Sequence, residues 1–303
     1  MMIQYTDSKN IDKLKWDHCI SSSKSPLVYG YSWYLDLVSP GWCGIIKDNY
    51  SAVMPLPVKK KYGINYIIQP RYTQQLGIFT AGNCNNDEIK AFVKAIPLFY
   101  RFIDINLNHS NKLSGLPYIV RINRNYELNL QHEKEAIVKE FSVNTRRNIQ
   151  KGISAVEIKE GIPVSEMIKL IRKNAASYID REHYLWINNF IEEIIQKQAG
   201  FIIAAYSENE LCASVFCLNY GGRIYYLIPV SNTVGREVRA MFAIIDHIIG
   251  KYAGTDATLD FEGSNLEGIA RFFNGFGAKS SNYPRIRINR LPFPYKLFIH
   301  NGG

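Results

Sequence analysis

The sequence predicts an α/β fold of the mixed α+β kind, built twice. Two tandem domains are expected, each a mixed, mostly antiparallel sheet flanked by helices. Three observations carry the duplication. Residues 42–70 and 201–229 align without a gap, with Gly63 on Gly222, Tyr66 on Tyr225 and Pro70 on Pro229. Each block is followed by a helix-periodic stretch and a short apolar strand with an acid, Ile103-Asp104-Ile105-Asn106 and Leu259-Asp260-Phe261-Glu262. Both halves then repeat Arg-Ile-Asn-Arg, at 121–124 and 287–290.

The elements follow in order. Each aligned block reads strand, polar turn, strand, Gly-containing turn, strand, which is an antiparallel meander. The turns are Lys47-Asp48-Asn49 and Lys61-Tyr62-Gly63 in the first half, Ser207-Glu208-Asn209 and Tyr220-Gly221-Gly222 in the second. Helices are expected over 87–100 and 236–252, where apolar residues recur with the 3.6 period. A linker helix is expected over 133–151, with Ser142 or Asn144 capping a new turn and Gly152 stopping it. Helices over 163–178 and 184–198 precede the strand at 201. Only the second half has a helical run at 265–274; the first has a Gly/Asn/Ser-rich loop at 109–116. A chain of 303 residues suits two domains, and the boundary is set at 128–131, giving domains 1–130 and 131–303.

Composition excludes several classes. With 47% hydrophobic and 21% charged residues the chain is neither disordered nor coiled coil. It shows no apolar run of membrane-spanning length and no signal-peptide pattern. Its five scattered cysteines read as reduced, buried residues of a cytoplasmic protein. The net charge of +9 suits a polyanionic partner: nucleic acid, a phosphate-bearing cofactor or an anionic membrane. No serine-hydrolase, zinc-protease, P-loop or dinucleotide-binding motif is present. His183 and His247 have no partner at metal-ligand or triad spacing, so no metal is expected.

The strand 223–230 leads through Ser231-Asn232-Thr233-Val234-Gly235-Arg236 into a helix. A helix start presents N–H groups and positive potential to a phosphate, and Arg236 and Arg239 add charge. Pro229 removes a donor from the strand end, so the strand is expected to splay, opening a V-shaped gap toward the Asp260 strand. Asp260 and Glu262, two apart on a strand, share a side. Such a pair holds either a general base or a helix cap and an arginine partner. Runs around Trp33, Arg71 and Gln74 mix aromatic, amide and cationic groups, which suits either a polar ligand or packing.

The second half resembles the GNAT (N-acetyltransferase-like) fold, and nearly the whole chain resembles the tandem GNAT architecture of the Fem family of aminoacyl transferases, which build peptidoglycan cross-bridges. Three segments carry the resemblance: the arginine-bearing stretch Asn144-Thr145-Arg146-Arg147-Asn148-Ile149-Gln150-Lys151, the strand–loop–helix around Pro229 to Arg239, and Leu259-Asp260-Phe261-Glu262-Gly263-Ser264 followed by Gly268-Ile269-Ala270-Arg271-Phe272-Phe273-Asn274-Gly275-Phe276-Gly277-Ala278. The last is similar to the family's Asp-Phe-x-Gly and Phe-x-x-x-Phe-Gly signature. Two departures stand out. The GNAT pyrophosphate loop is reduced to Gly235, and the tyrosine that GNAT enzymes use as general acid falls on Phe273.

The resemblance implies an acyltransferase whose donor lies on the backbone of Leu227, Ile228, Pro229 and Val230. Val234, Gly235, Arg236 and Arg239 would take its phosphates, and Glu262 or Asp260 would be the base. Trp33, Arg71 and Gln74 of the first domain, with Arg146 and Lys151, would bind substrate. The donor is acyl-CoA (acetyl-CoA) passing its acyl group to a small-molecule or peptide amine. The alternatives are aminoacyl-tRNA acting on a cell-wall or peptide amine, and a non-catalytic binding module.

Overall fold

In the computed structural model, which describes residues 2–112, 115, 118–174 and 181–293, the chain opens with β1 (Ile3–Thr6), α1 (Lys13–Ser21), α2 (Ser32–Val38), β2 (Cys43–Lys47) and β3 (Ala52–Leu56). Asp12 caps α1 by accepting the Lys15 N–H. The meander continues as β4 (Val58–Lys61) and β5 (Ile64–Ile68), then β6 (Phe79–Thr80), α3 (Asn86–Ala95), β7 (Tyr100–Asn106) and β8 (Ile119–Asn129). Pro57 separates β3 from β4, because it has no N–H for the ladder. The result is a small sheet of order β1-β2-β3-β6 and a separate β4–β5 hairpin whose second strand runs parallel to β7. α3 ends before the predicted residue 100, since Pro97 biases Ile96 away from helical backbone. Its apolar face, Ile89, Phe92 and Val93, joins Ile45, Met54 and Ile103 in one core.

The second half begins with α4 (Lys134–Lys139), α5 (Val143–Ala155), β9 (Glu157–Glu160), α6 (Val164–Asn174) and α7 (Arg181–Gln196). The meander is β10 (Gly200–Ser207), β11 (Glu210–Tyr220) and β12 (Arg223–Ser231), antiparallel throughout. Then come α8 (Thr233–Glu237), α9 (Ala240–Tyr252), β13 (Thr258–Asp260), α10 (Glu267–Gly275) and β14 (Lys279–Asn289). β12 runs parallel to β13 as β5 does to β7, so the repeat read in the sequence recurs as topology. The last residues of the helix expected at 163–178 lie outside the described residues.

The final strands alter the expected division. The chain separates into Met1–Arg124 with Ser281–Gly303, and Asn125–Ser280. Within the first unit β7 pairs with β14 (Asp104 opposite Arg287); within the second, β13 pairs with β8 (Asp260 opposite Glu127). Each half has thus traded its closing strand for the other's. A single cut between 130 and 131 does not describe this arrangement. Hydrophobic alternation marks a strand but not its partner, which depends on backbone hydrogen bonds between distant segments.

Three local expectations are corrected. The linker helix is two helices, α4 and α5, with Ser142 accepting the Thr145 N–H as the cap of α5. Gly152 does not stop α5. A Cβ there would lie 2.7 Å from the Arg239 carbonyl oxygen, so glycine lets α5 press against the start of α9. The helix predicted over 236–252 breaks at Arg239, whose φ of 65° is left-handed.

Candidate active site

The second unit carries an opening in its sheet. β12 is nine residues long but pairs with β13 at only three, Arg223 with Thr258, Ile224 with Leu259 and Tyr225 with Asp260. On its other edge β12 follows β11 to Ser231, with one shift of register: Phe216 faces Ile228 and Cys217 faces Tyr226, so Leu227 has no opposite residue. An unpaired residue of this kind bends and twists its strand. The bend begins just past the last residue paired with β13, while Phe261 N–H turns away to the Tyr126 carbonyl. The expected splay is present, and its device is the Leu227 irregularity as well as Pro229.

A cavity of ≈ 330 Å³ lies along the part of β12 that has left β13, between it and the start of α9, lined by Tyr226, Pro229, Val230, Ser231, Gly235, Arg236, Arg239, Met241 and Phe242. Five predicted donor residues meet there: Pro229, Val230, Gly235, Arg236 and Arg239. Leu227 and Ile228 are buried and do not line it; Val234 lies outside and is half-exposed. Sequence reasoning missed Tyr226, Ser231, Met241 and Phe242. Tyr226 was one residue short of the predicted stretch; Met241 and Phe242 read as core positions of a helix. Burial pushes the Tyr226 phenol well above its usual range, so it keeps its proton.

The mouth of the cavity is cationic but differs from a backbone phosphate cradle. The Gly235 N–H donates to Asn232 Oδ1 (2.8 Å) and the Arg236 N–H to the Asn232 carbonyl (3.1 Å). The guanidinium groups therefore carry the positive charge. Arg236 Nη1 donates to the Ser231 carbonyl (2.8 Å) and Nη2 to Thr233 Oγ1 (3.1 Å), which holds it across the loop. Because of the break at Arg239, the two arginines do not lie one turn apart on a single helix. Gly235 is required by space: a Cβ would lie 2.3 Å from the Cys212 carbonyl oxygen.

The two acids are not a catalytic pair on one strand face. β13 ends at Asp260, and Glu262 follows with φ 62°, so the alternation that would align them is lost. Asp260 is 1% exposed and holds Arg223 Nη1 at 2.9 Å, while the same nitrogen lies 2.9 Å from Glu127 Oε1. Burial raises the Asp260 carboxyl pKa against the opposing pull of Arg223. Its counterpart Asp104 is held by Arg285 (2.6 Å) and Arg287 (2.8 Å). The matching acids of the repeat are structural ion-pair centres. Burial also pushes the Glu262 carboxyl well above the usual range. Neither Asp260 nor Glu262 lines the cavity. Phe273 stacks on Phe261 at 4.7 Å beside Tyr226, in the hydrophobic core, and does not line the cavity.

The first unit closes the equivalent opening. Beyond Ile68 the chain stays attached to β7: Gln69 N–H donates to the Asp104 carbonyl (3.0 Å), Leu76 N–H to the Asn106 carbonyl (3.0 Å), and Leu76 bridges Leu107. Side-chain amides lock the loop. Gln69 Oε1 accepts the Asn106 N–H, and Asn106 Nδ2 donates to the Gln74 carbonyl. Gln74 Oε1 accepts from Gln75 Nε2, which makes Gln74 a buried brace. Trp33 stands on α2 and Arg71 is exposed. In the second unit Arg146 and Lys151 are exposed on α5, with Arg146 Nη1 reaching the Val138 carbonyl near the end of α4 (3.4 Å). Neither lines the cavity. All five cysteines are buried thiols. Among the described residues no group of three or more His, Cys, Asp or Glu is placed to hold a metal ion.

No family model matches the sequence, and no curated protein matches it. Solved structures do match the fold over the whole chain. FemX aligns with a TM-score of 0.65 at 12% identity, over 99% of this chain and 100% of its own. A tandem GNAT protein from the clavulanic acid biosynthesis pathway aligns at 0.58 and 10% identity, over 96% and 99%. L-PGS from Bacillus licheniformis aligns at 0.54 and 11%, over 95% of each chain. The chain has a tandem GNAT fold of the Fem type. Within that fold the second GNAT copy keeps its strands parted at β12, and the first has them stitched together.

Proposed function

We propose that the protein is an N-acyltransferase that moves an acyl group from acyl-CoA to an amine acceptor. The observation that carries this reading is the contrast between the copies: β12 leaves β13 after three pairs and has a cavity along its freed part, whereas the chain beyond β5 stays bonded to β7 in the first unit. The unpaired edge of β12 from Tyr226 onward offers backbone groups to the amide-bearing arm of CoA. Arg236 and Arg239 at the mouth offer charge to its phosphates. A volume near 330 Å³ is at the small end for ligand sites and suits an arm and a small acyl group. The attacking amine forms a C–N bond as the C–S bond breaks, and the proton the amine sheds must reach the departing thiolate. Phe273 cannot carry it; this reading assigns the relay to the Tyr226 hydroxyl, which gives its proton to the thiolate as it takes the amine's and so ends neutral, as its raised pKa requires. Most of the acceleration then comes from holding the reactants together. The reading also places the protein in the cytoplasm, with acceptor recognition by the first unit through Trp33 and Arg71. The tandem GNAT protein of the clavulanic acid pathway is described as a form without AcCoA, a mention compatible with this donor.

One observation favours a second reading. The Gly235 and Arg236 amides, which would cradle a pyrophosphate, already bond Asn232. A donor without a pyrophosphate at that point, such as aminoacyl-tRNA acting on a cell-wall or peptide amine, would not need them. Titration calorimetry separates the readings. Under the first, CoA and acetyl-CoA bind, and Arg236→Glu weakens them by about tenfold or more. Salt-sensitive tRNA binding with no response to CoA would transfer the assignment to the second. Silence toward both would leave a non-catalytic binding module.

A further inference from the structure

The duplicated fold supplies its own control for surface features, since a feature the fold requires recurs in both copies. One end of the first unit's sheet does not recur. The β4–β5 turn places Tyr62 (φ 49°) and Gly63 (φ 77°) in the left-handed region, where a tight hairpin turn favours Asn, Asp or Gly. The corresponding β11–β12 turn uses Gly221 (φ 60°) and Gly222 (φ 73°). A tyrosine is strained there, and core packing does not explain it: Tyr62 is 90% exposed, with the Lys61 ammonium 5.3 Å from its ring centre. Lys59, Lys60 and Lys61 precede it, all exposed, where β11 has Leu218, Asn219 and Tyr220.

Neighbouring strands extend the feature. Leu98 (72% exposed) and Phe99 (49%) lead into β7, followed by the exposed Arg101. The segment entering β13 in the second copy reads Gly254-Thr255-Asp256-Ala257, small and polar with an acid. Register brings these groups to one end of the sheet. Lys60 pairs with Asn65, Asn65 with Tyr100, and the Arg290 N–H donates to the Arg101 carbonyl (2.7 Å). At about 4.8 Å per strand the patch is roughly 14 Å wide. The sequence has no acid between Asp48 and Asp87 or between Glu88 and Asp104. Asp104 is buried under two arginines and Glu88 holds Lys47. Asp7 borders the patch, accepting from the Tyr5 hydroxyl that also meets Tyr100.

Exposed aliphatic and aromatic side chains set among cations match an acidic headgroup layer over hydrocarbon. A nucleic acid would use the cations and the tyrosine ring, but would leave Leu98 in water. No helix among the described residues is long and apolar enough to cross a membrane, so the contact would be peripheral. We propose that this end of the first unit docks on an anionic phospholipid surface, with Tyr62, Leu98 and Phe99 at headgroup level and Lys59, Lys60, Lys61 and Arg101 facing the acidic headgroups.

The test is co-sedimentation of the full chain with phosphatidylcholine vesicles, with and without about 30% phosphatidylglycerol. Binding is expected to be roughly tenfold tighter to the anionic vesicles, and to fall steeply between about 0.1 and 0.5 M salt. Lys59→Gln/Lys60→Gln/Lys61→Gln should lower it by about tenfold. Tyr62→Gly with Leu98→Ser should lower the binding that survives high salt. The unfolding midpoint should not fall for Tyr62→Gly alone, because glycine relieves the turn. Equal partition into both vesicle types, no partition, or undiminished binding by folded variants would overturn the proposal. So would retention by tRNA with indifference to vesicles.

Discussion

Arg223→Ala tests the assignment of Asp260 as a structural anion. In the folded protein one guanidinium nitrogen stands 2.9 Å from both Asp260 Oδ2 and Glu127 Oε1. Asp260 is 1% exposed and Glu127 only a quarter exposed at its side chain. Removing the arginine leaves two carboxylates facing each other with no cation between them, one of them buried by the fold. Breaking a buried pair from one side costs about 3–5 kcal/mol, more than the pair contributes against an apolar replacement, because the abandoned charge stays buried. The assay is urea unfolding at neutral pH, read as a midpoint shift at constant slope. The sign of the pH dependence is fixed too. Burial already raises the folded-state pKa of Asp260. The folded chain therefore keeps a proton that the unfolded chain loses above about pH 3.9, and stability falls as pH rises through that window. Without Arg223 the pKa rises further, so the variant's deficit should be largest at neutral pH and shrink toward pH ~4. Adding Asp260→Asn should recover part of the loss. A variant within about 0.5 kcal/mol of the parent at neutral pH, or a deficit indifferent to pH, would refute the reasoning.

The remaining predictions are more local. Gly235→Ala should destabilise the fold by about 1–3 kcal/mol and distort the cavity wall, because its Cβ meets a backbone carbonyl that cannot rotate away; thermal unfolding and CoA titration read the two effects. Glu262→Gln should flatten the pH dependence of stability. The raised Glu262 pKa makes the folded state hold a proton that the unfolded chain releases above about pH 4.3. Stability thus falls with rising pH in the parent, and the gain from the amide should grow on the alkaline side; equal slopes in urea melts across pH 4–8 would count against it.

Much of the fold was legible before any coordinates. The turns at 47–49, 61–63, 207–209 and 220–222 rest on local residue chemistry, and all four fall where hairpins form. The opening near Pro229 was legible for a similar reason, since a proline announces a defect in a ladder. Tyr226 was not, because an aromatic residue inside an apolar strand reads as core, and here it is both core and cavity wall. Asp260 and Glu262 misled because the two-residue period holds only while the strand lasts, and β13 ends between them.

By itself the sequence determined that one fold is used twice, since periodicity, turn residues and matched acids are local properties that recur along a chain. Only the tertiary structure decided that the parting of strands kept in the second copy is bonded shut in the first, and which strand closes each unit. Those outcomes depend on hydrogen bonds between distant segments: the amides of Gln69, Gln75 and Asn106 that seal the first copy, and the register slip at Leu227 that leaves the second open. A ladder partner or a skipped residue is a relation between two strands, and neither strand's sequence contains it alone.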